Sequence, residues 1–99
     1  MDQILATSVT INIYNFEHPI EENLLEKVKE LFGYFLNREV KETKIEGEES
    51  DYDLTFELRT KDSIEVMEDR LEKVNEFLKS LIETKDLTLN MNYSFSWVY

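Results

Sequence analysis

The chain has 99 residues, 41% of them hydrophobic, and its 22 acidic residues against 11 basic ones give a formal net charge of −11. That length supplies one core and not two, since domains cluster at roughly 100 to 150 residues, so residues 1–99 are expected to form a single domain. The lack of cysteine excludes disulfides, thiolate metal sites and cysteine nucleophiles, and the negative field repels nucleic acid and anionic membranes while attracting basic surfaces.

Gln3 to Phe16 contains no charged residue, and Leu5, Thr7, Val9, Ile11 and Ile13 alternate with Ala6, Ser8, Thr10, Asn12 and Tyr14. This period of two, rich in β-branched residues, predicts a strand. Pro19 suits the first turn of a helix, and Glu21 and Glu22 complement its dipole. Leu24, Val28, Leu31 and Phe35, widened by Leu25, Phe32 and Leu36, then predict an amphipathic helix over residues 19–37, with Asn37 as its stop. From Glu39 to Glu46, Val40, Thr43 and Ile45 among charges give a second strand, at a sheet edge protected by Lys41 and Lys44.

Residues 47–50 read as a turn. Tyr52, Leu54, Phe56 and Leu58 alternate with Asp53, Thr55, Glu57 and Arg59 as a half-buried strand, forming a hairpin with the one before it. Asp62 and Glu65 have capping-box spacing, with Ser63 as a rival cap. Ile64, Met67, Leu71, Val74, Leu78 and Leu81 mark a second helix of about five turns, closed by Lys85 and Asp86. Leu87 to Tyr99 is again free of charge, and Leu87, Leu89, Met91, Tyr93, Phe95, Trp97 and Tyr99 alternate without exception.

The order strand, helix, strand, strand, helix, strand is the split βαβ arrangement. Right-handed crossovers fold it into an α+β, ferredoxin-like domain: a four-stranded antiparallel sheet with two helices on one face. The last strand is expected beside the first, with the third next to the first on its other side and the second at the far edge. The uncovered sheet face then shows Ala6, Ser8, Thr10, Asn12 and Tyr14 beside Thr55, Glu57, Asn90, Asn92, Ser94 and Ser96.

The residues supply little for catalysis. His18 is the only histidine and precedes a proline, and Gly33 and Gly47 are the only glycines, so neither a histidine metal set nor a phosphate-cradling loop can be built. Serines such as Ser8 and Ser94 have no base nearby in sequence. Glu46, Glu48, Glu49, Asp51 and Asp53 miss the spacing of a calcium loop. The uncovered face offers chiefly Tyr14 and acids where an RNA-binding sheet needs aromatic rings in a positive field. No catalytic activity, no cofactor and no metal are expected. No apolar run reaches the about 18 residues that span a bilayer, and the N-terminus lacks a signal-peptide layout, which predicts a cytoplasmic protein.

Two features favour binding. Five acids and no base lie between Glu46 and Asp53, and with Glu57 they form a candidate partner-binding site: carboxylates presented along a hairpin occupy arginine and lysine side chains that otherwise hold DNA or RNA. The same segment also reads as a soluble turn. Further acids at Glu65, Glu68, Asp69, Glu72 and Glu76 extend the negative surface, although Arg70 and Lys73 suit intrahelical pairing. The second feature is the uncharged last strand, residues 87–99, an edge that invites a homodimer or capture of a partner's strand.

Small size, a folded core, many acids, no cysteine and no catalytic set together resemble the small acidic inhibitors made by phages and mobile elements: anti-CRISPR proteins, DNA-mimic anti-restriction proteins and nuclease immunity proteins. The likeness is one of size and charge over the whole chain and brings no motif, so it transfers no site residue. It implies an inhibitor acting in the host cytoplasm by blocking the substrate channel of a nuclease or another nucleic-acid-binding protein. The alternatives are a homodimeric structural or regulatory domain whose acidity serves solubility, and a divergent ferredoxin-like enzyme.

Overall fold

The computed structural model describes residues 3–15, 17–36 and 40–98. Its elements run β1 (Ile4–Tyr14), α1 (Glu22–Leu36), β2 (Val40–Glu48), β3 (Asp51–Thr60), α2 (Ile64–Glu83) and β4 (Thr88–Val98). The strands form one sheet in the order β2-β3-β1-β4, and every neighbouring pair is antiparallel. This is the ferredoxin-like fold, with the strand order that the pattern predicts.

The alternation in β1 sorts its side chains cleanly. Leu5, Thr7, Val9, Ile11 and Ile13 are buried beneath the helices, while the even-numbered residues take the other face. Leu54, Phe56 and Leu58 do the same from β3, and the Phe32 ring of α1 stacks on Phe56 with centroids 4.0 Å apart. From α2, Met67, Leu71, Val74, Leu78 and Ile82 complete the core. Fully burying side chains of this size stabilises by about 1.5–3 kcal/mol each, so the helical layer holds the sheet through a continuous apolar seam.

Several boundaries differ from the sequence expectation. Helix α1 begins at Glu22 and not at Pro19, because the Ile20 N–H donates to the Glu49 carbonyl at 2.7 Å while the Ile20 side chain is buried. The chain before the helix is thereby held against the β2–β3 turn. Strand β2 runs on to Glu48, since Gly47 at φ 131° stays in the ladder opposite Tyr52, and the turn shrinks to Glu49 and Ser50. The expected stop at Asn37, the start of β2 at Glu39 and the side chains of Lys41 and Tyr99 lie outside the described residues.

Ser63, not Asp62, caps α2, its hydroxyl accepting from the Val66 N–H at 3.2 Å. Asp62 instead accepts from the Thr60 hydroxyl at 3.0 Å and pairs with Arg70 at 2.8 Å, fixing the β3–α2 connection. Lys73 makes the expected intrahelical pair with Asp69 at 2.9 Å. Helix α2 ends at Glu83, ahead of Lys85 and Asp86, with Thr84 as its C-cap. Two residues leave the expected apolar stripes. Leu81 is only half-buried beside the buried Ile82, and Phe35 is 40% exposed, resting on Phe77 of α2 at 4.7 Å. Among the described residues no helix is long and apolar enough to cross a membrane.

Candidate functional site: the uncovered sheet face

Both helices pack on one side of the sheet, and the other side is a surface of polar side chains. Its two halves differ. Strands β1 and β4 contribute Ala6, Ser8, Thr10, Asn12, Asn90, Asn92, Ser94 and Ser96, all neutral, whereas β2 and β3 contribute the charges. The cause lies in sequence: β1 and β4 contain no Asp, Glu, Lys, Arg or His, and the alternation sends Glu46 and Glu48 of β2 and Asp51, Asp53 and Glu57 of β3 to the same side.

Ladder register brings the acids together. Glu46 stands opposite Asp53 and Glu48 opposite Asp51, which places these side chains about 4.5–5.5 Å apart at Cβ. Along β3, Asp51, Asp53 and Glu57 project to the same face, with about 6.7 Å for every two residues. Five of the six expected site residues therefore form two adjacent rows on stiff backbone. The sixth, Glu49, sits at the turn with φ 54°, outside the alternation. The sequence placed this charge at a hairpin tip; the structure spreads it over the sheet face, because the turn is only two residues long.

Like charges placed directly opposite one another in a ladder are destabilising, and two groups relieve them. The side-chain amide nitrogen of Asn12 donates to Asp51 Oδ1 at 2.8 Å and to Asp53 Oδ1 at 2.9 Å, with the Tyr52 carbonyl at 3.3 Å. Lys44, next but one to Glu46 on the same strand, pairs with it at 2.6 Å, although both side chains are mostly exposed. Exposed pairs of this kind contribute at most about 1 kcal/mol, so the rows keep a large net negative charge.

The far end of the same face dips into a shallow hollow of about 320 Å³. Its floor is Ala6, Ser8, Ser94 and Ser96, and Glu57, Arg59 and Val98 stand at its rim. The floor is low because four small side chains from two adjacent strands meet there. Sequence reasoning overlooked Asn12 as a partner of the acids and Arg59 as the base at the end of the β3 row. Position alone puts both on this face; their neighbours depend on register. Among the described residues no group of three or more histidine, aspartate or glutamate side chains is arranged to hold a metal ion.

No protein-family model matches the chain, and the curated proteins give no match. Among solved structures it is similar to a de novo designed protein, Foldit4, at 16% identity over 92% of this chain and 96% of that one, with a TM-score of 0.57. It is also similar to the ACT domain from GTP pyrophosphokinase of Chlorobium tepidum, at 9% identity over 93% of this chain and 89% of that one, with a TM-score of 0.48. The first is a likeness of fold alone, and the chain is accordingly placed by its architecture, a ferredoxin-like sheet with one face left to solvent.

Proposed function

We propose that the protein is a binding protein whose acidic sheet face takes the place of a polyanion on a basic partner, in the manner of an inhibitor of a nuclease or another nucleic-acid-binding protein. The observation that carries this reading is the shared face of Glu46, Glu48, Asp51, Asp53 and Glu57 on paired strands. Asp51 to Glu57 alone extends about 20 Å, a line of negative charge interrupted by Thr55, on a backbone that does not have to be ordered on binding. Preorganisation of this kind lowers the entropic cost of association. A groove of arginine and lysine built for phosphates meets carboxylates with charge-assisted hydrogen bonds of the same type. The small neutral side chains of β1 and β4 let the partner's surface approach beside the rows.

The experiment is inhibition of a panel of purified basic nucleases, with the nucleic-acid substrate varied as competitor. Inhibition should be competitive with substrate, weaken as salt rises because exposed charges are screened beyond about 8 Å at physiological ionic strength, and fall about tenfold or more when Glu46, Glu48, Asp51 and Asp53 are all changed to amides. Inhibition that survives those four substitutions, or no effect on any member of the panel, removes the reading.

A further inference from the structure

The sheet has a second open feature, the outer edge of β4, which lies across β1 from the acidic rows. Alternate residues of an edge strand direct their N–H and C=O groups away from their one neighbour. Natural edges are usually blunted by lysine, proline or a bulge. Strand β4 has none of these: it runs for 11 residues, Thr88–Val98, in unbroken register with β1.

The helix side of this edge is incompletely roofed. Helix α2 has 20 residues and β4 has 11, lengths of about 30 Å and about 37 Å. The chain turns back from α2 into β4, so the excess strand projects past the helix N-terminus. Burial follows this geometry: Leu87 and Leu89 are buried, Met91, Tyr93 and Phe95 half-buried, and Trp97 is 40% exposed, all on one face. Tyr93 and Phe95 pack ring to ring at 5.5 Å. The result is an apolar aromatic strip beside a row of open backbone groups.

The flank of α2 above the strip is set by the helical period. Phe77 meets Phe35 of α1 on one side of the buried stripe, which leaves Glu68, Glu72 and Lys79 on the opposite side. Glu68 and Glu72 lie in the first half of the helix, beside Tyr93, and both are exposed. Lys79 lies two turns nearer the helix C-terminus, by the better covered end of β4. The overhanging aromatic end therefore has an acidic flank.

The geometry points to β4 as a strand-addition site that captures an extended basic segment of a partner protein. The segment adds a fifth strand: its main chain satisfies the open edge, and alternate side chains face the helix layer. There, lysine or arginine stems lie along Tyr93, Phe95 and Trp97, with their cations by Glu68 and Glu72. The other side chains meet the neutral Asn92, Ser94 and Ser96. A second copy of this chain fits the edge poorly, because two-fold pairing brings two sets of Glu68 and Glu72 together between two molecules of net charge −11. This site does not depend on the acidic rows of the sheet face.

A nine-residue peptide alternating arginine and threonine, added to the intact protein at physiological salt, tests the assignment. Binding should slow amide exchange on alternate residues of β4, fall about tenfold in E68Q/E72Q, stay within about twofold in D51N/D53N, and vanish when the peptide carries proline at alternate positions. Equal binding of the proline peptide overturns strand addition. Dependence on Asp51 and Asp53 but not on Glu68 and Glu72 returns the basic partner to the sheet face and leaves β4 without it. Protection of β4 that rises with protein concentration alone, without peptide, makes the occupant a second copy and overturns the proposal as well.

Discussion

The Ile20 N–H donates to the Glu49 carbonyl oxygen at 2.7 Å, and the neighbouring Asn15 N–H donates to Ser50 at 2.9 Å. These two bonds tie both residues of the β2–β3 turn to the chain that leads from β1 into α1. The acidic rows therefore end on a fixed corner, not on a swinging tip. The buried Ile20 side chain makes the same connection through the core, so the turn geometry and the entry to the helix stand or fall together.

Glu49 adopts φ 54°, a left-handed conformation that costs a residue with a Cβ roughly 1–2 kcal/mol. Glycine adopts it freely but loses more entropy on folding. Glu49→Gly should therefore stabilise the fold by about 0.5–1 kcal/mol and raise the melting temperature by a few degrees. Because Glu49 is outside the acidic rows, inhibition in the nuclease panel should be retained. A thermal melt that falls on this substitution would show that the glutamate side chain holds the corner in some other way.

The opposite result is expected two residues earlier, inside β2. Gly47 lies at φ 131°, and a Cβ there would overlap the Asp51 carbonyl oxygen and stand 2.8 Å from the Tyr52 Cα. Both are backbone atoms of the paired strand and cannot step aside. Gly47→Ala should cost about 2 kcal/mol or more, measured by denaturant unfolding, and should shift the amide resonances of Asp51 and Tyr52. A substitution tolerated without either change would mean that the hairpin relaxes its register.

The contrast between these two positions shows what could be read in advance. Strict alternation without charge made β1 and β4 legible, and the leucine and valine spacing made both helices legible, because burial on one face leaves a periodic trace. The position of the turn left no such trace: Gly47 looks like a turn residue, yet its freedom is used inside the strand. The start of α1 was hidden for a related reason, since the Ile20 N–H is claimed by a carbonyl 29 positions later. The candidate site was legible in composition but not in shape. Asn12 meets Asp51 and Asp53 across 39 and 41 positions, a pairing fixed only by register.

Asn12 gives a test of how the acidic rows are tolerated. Its amide donates to both aspartates, so Asn12→Asp removes two hydrogen bonds to charged groups and adds a third carboxylate between them. The site is exposed and screened, and the loss should be about 1 kcal/mol at low salt, shrinking as salt is raised. Asn12→Ser, which keeps a donor, should recover part of it. Unfolding free energies of Asn12→Asp that match the parent protein at low salt would show that the rows need no neutral partner.

Tyr93 offers a pH measurement that bears on the edge of the sheet. Burial first, and then the Glu68 and Glu72 carboxylates, raise its phenol above the ordinary 10.0, each by opposing formation of the phenolate. The folded state thus holds this proton more tightly than the unfolded chain. Its contribution to stability is fully present below about pH 10 and is lost as pH rises through the folded value. In E68Q/E72Q the carboxylate part disappears and the burial part remains, so the phenolate absorbance titration, taken as the difference from Tyr93→Phe, should move down toward 10.0 without reaching it. The alkaline loss of stability should still begin near pH 10, where the unfolded chain gives up its proton, but should end sooner and be smaller. A titration unmoved by the double substitution would place both carboxylates too far from the ring to matter, and would take from β4 the acidic flank on which capture of a basic strand depends.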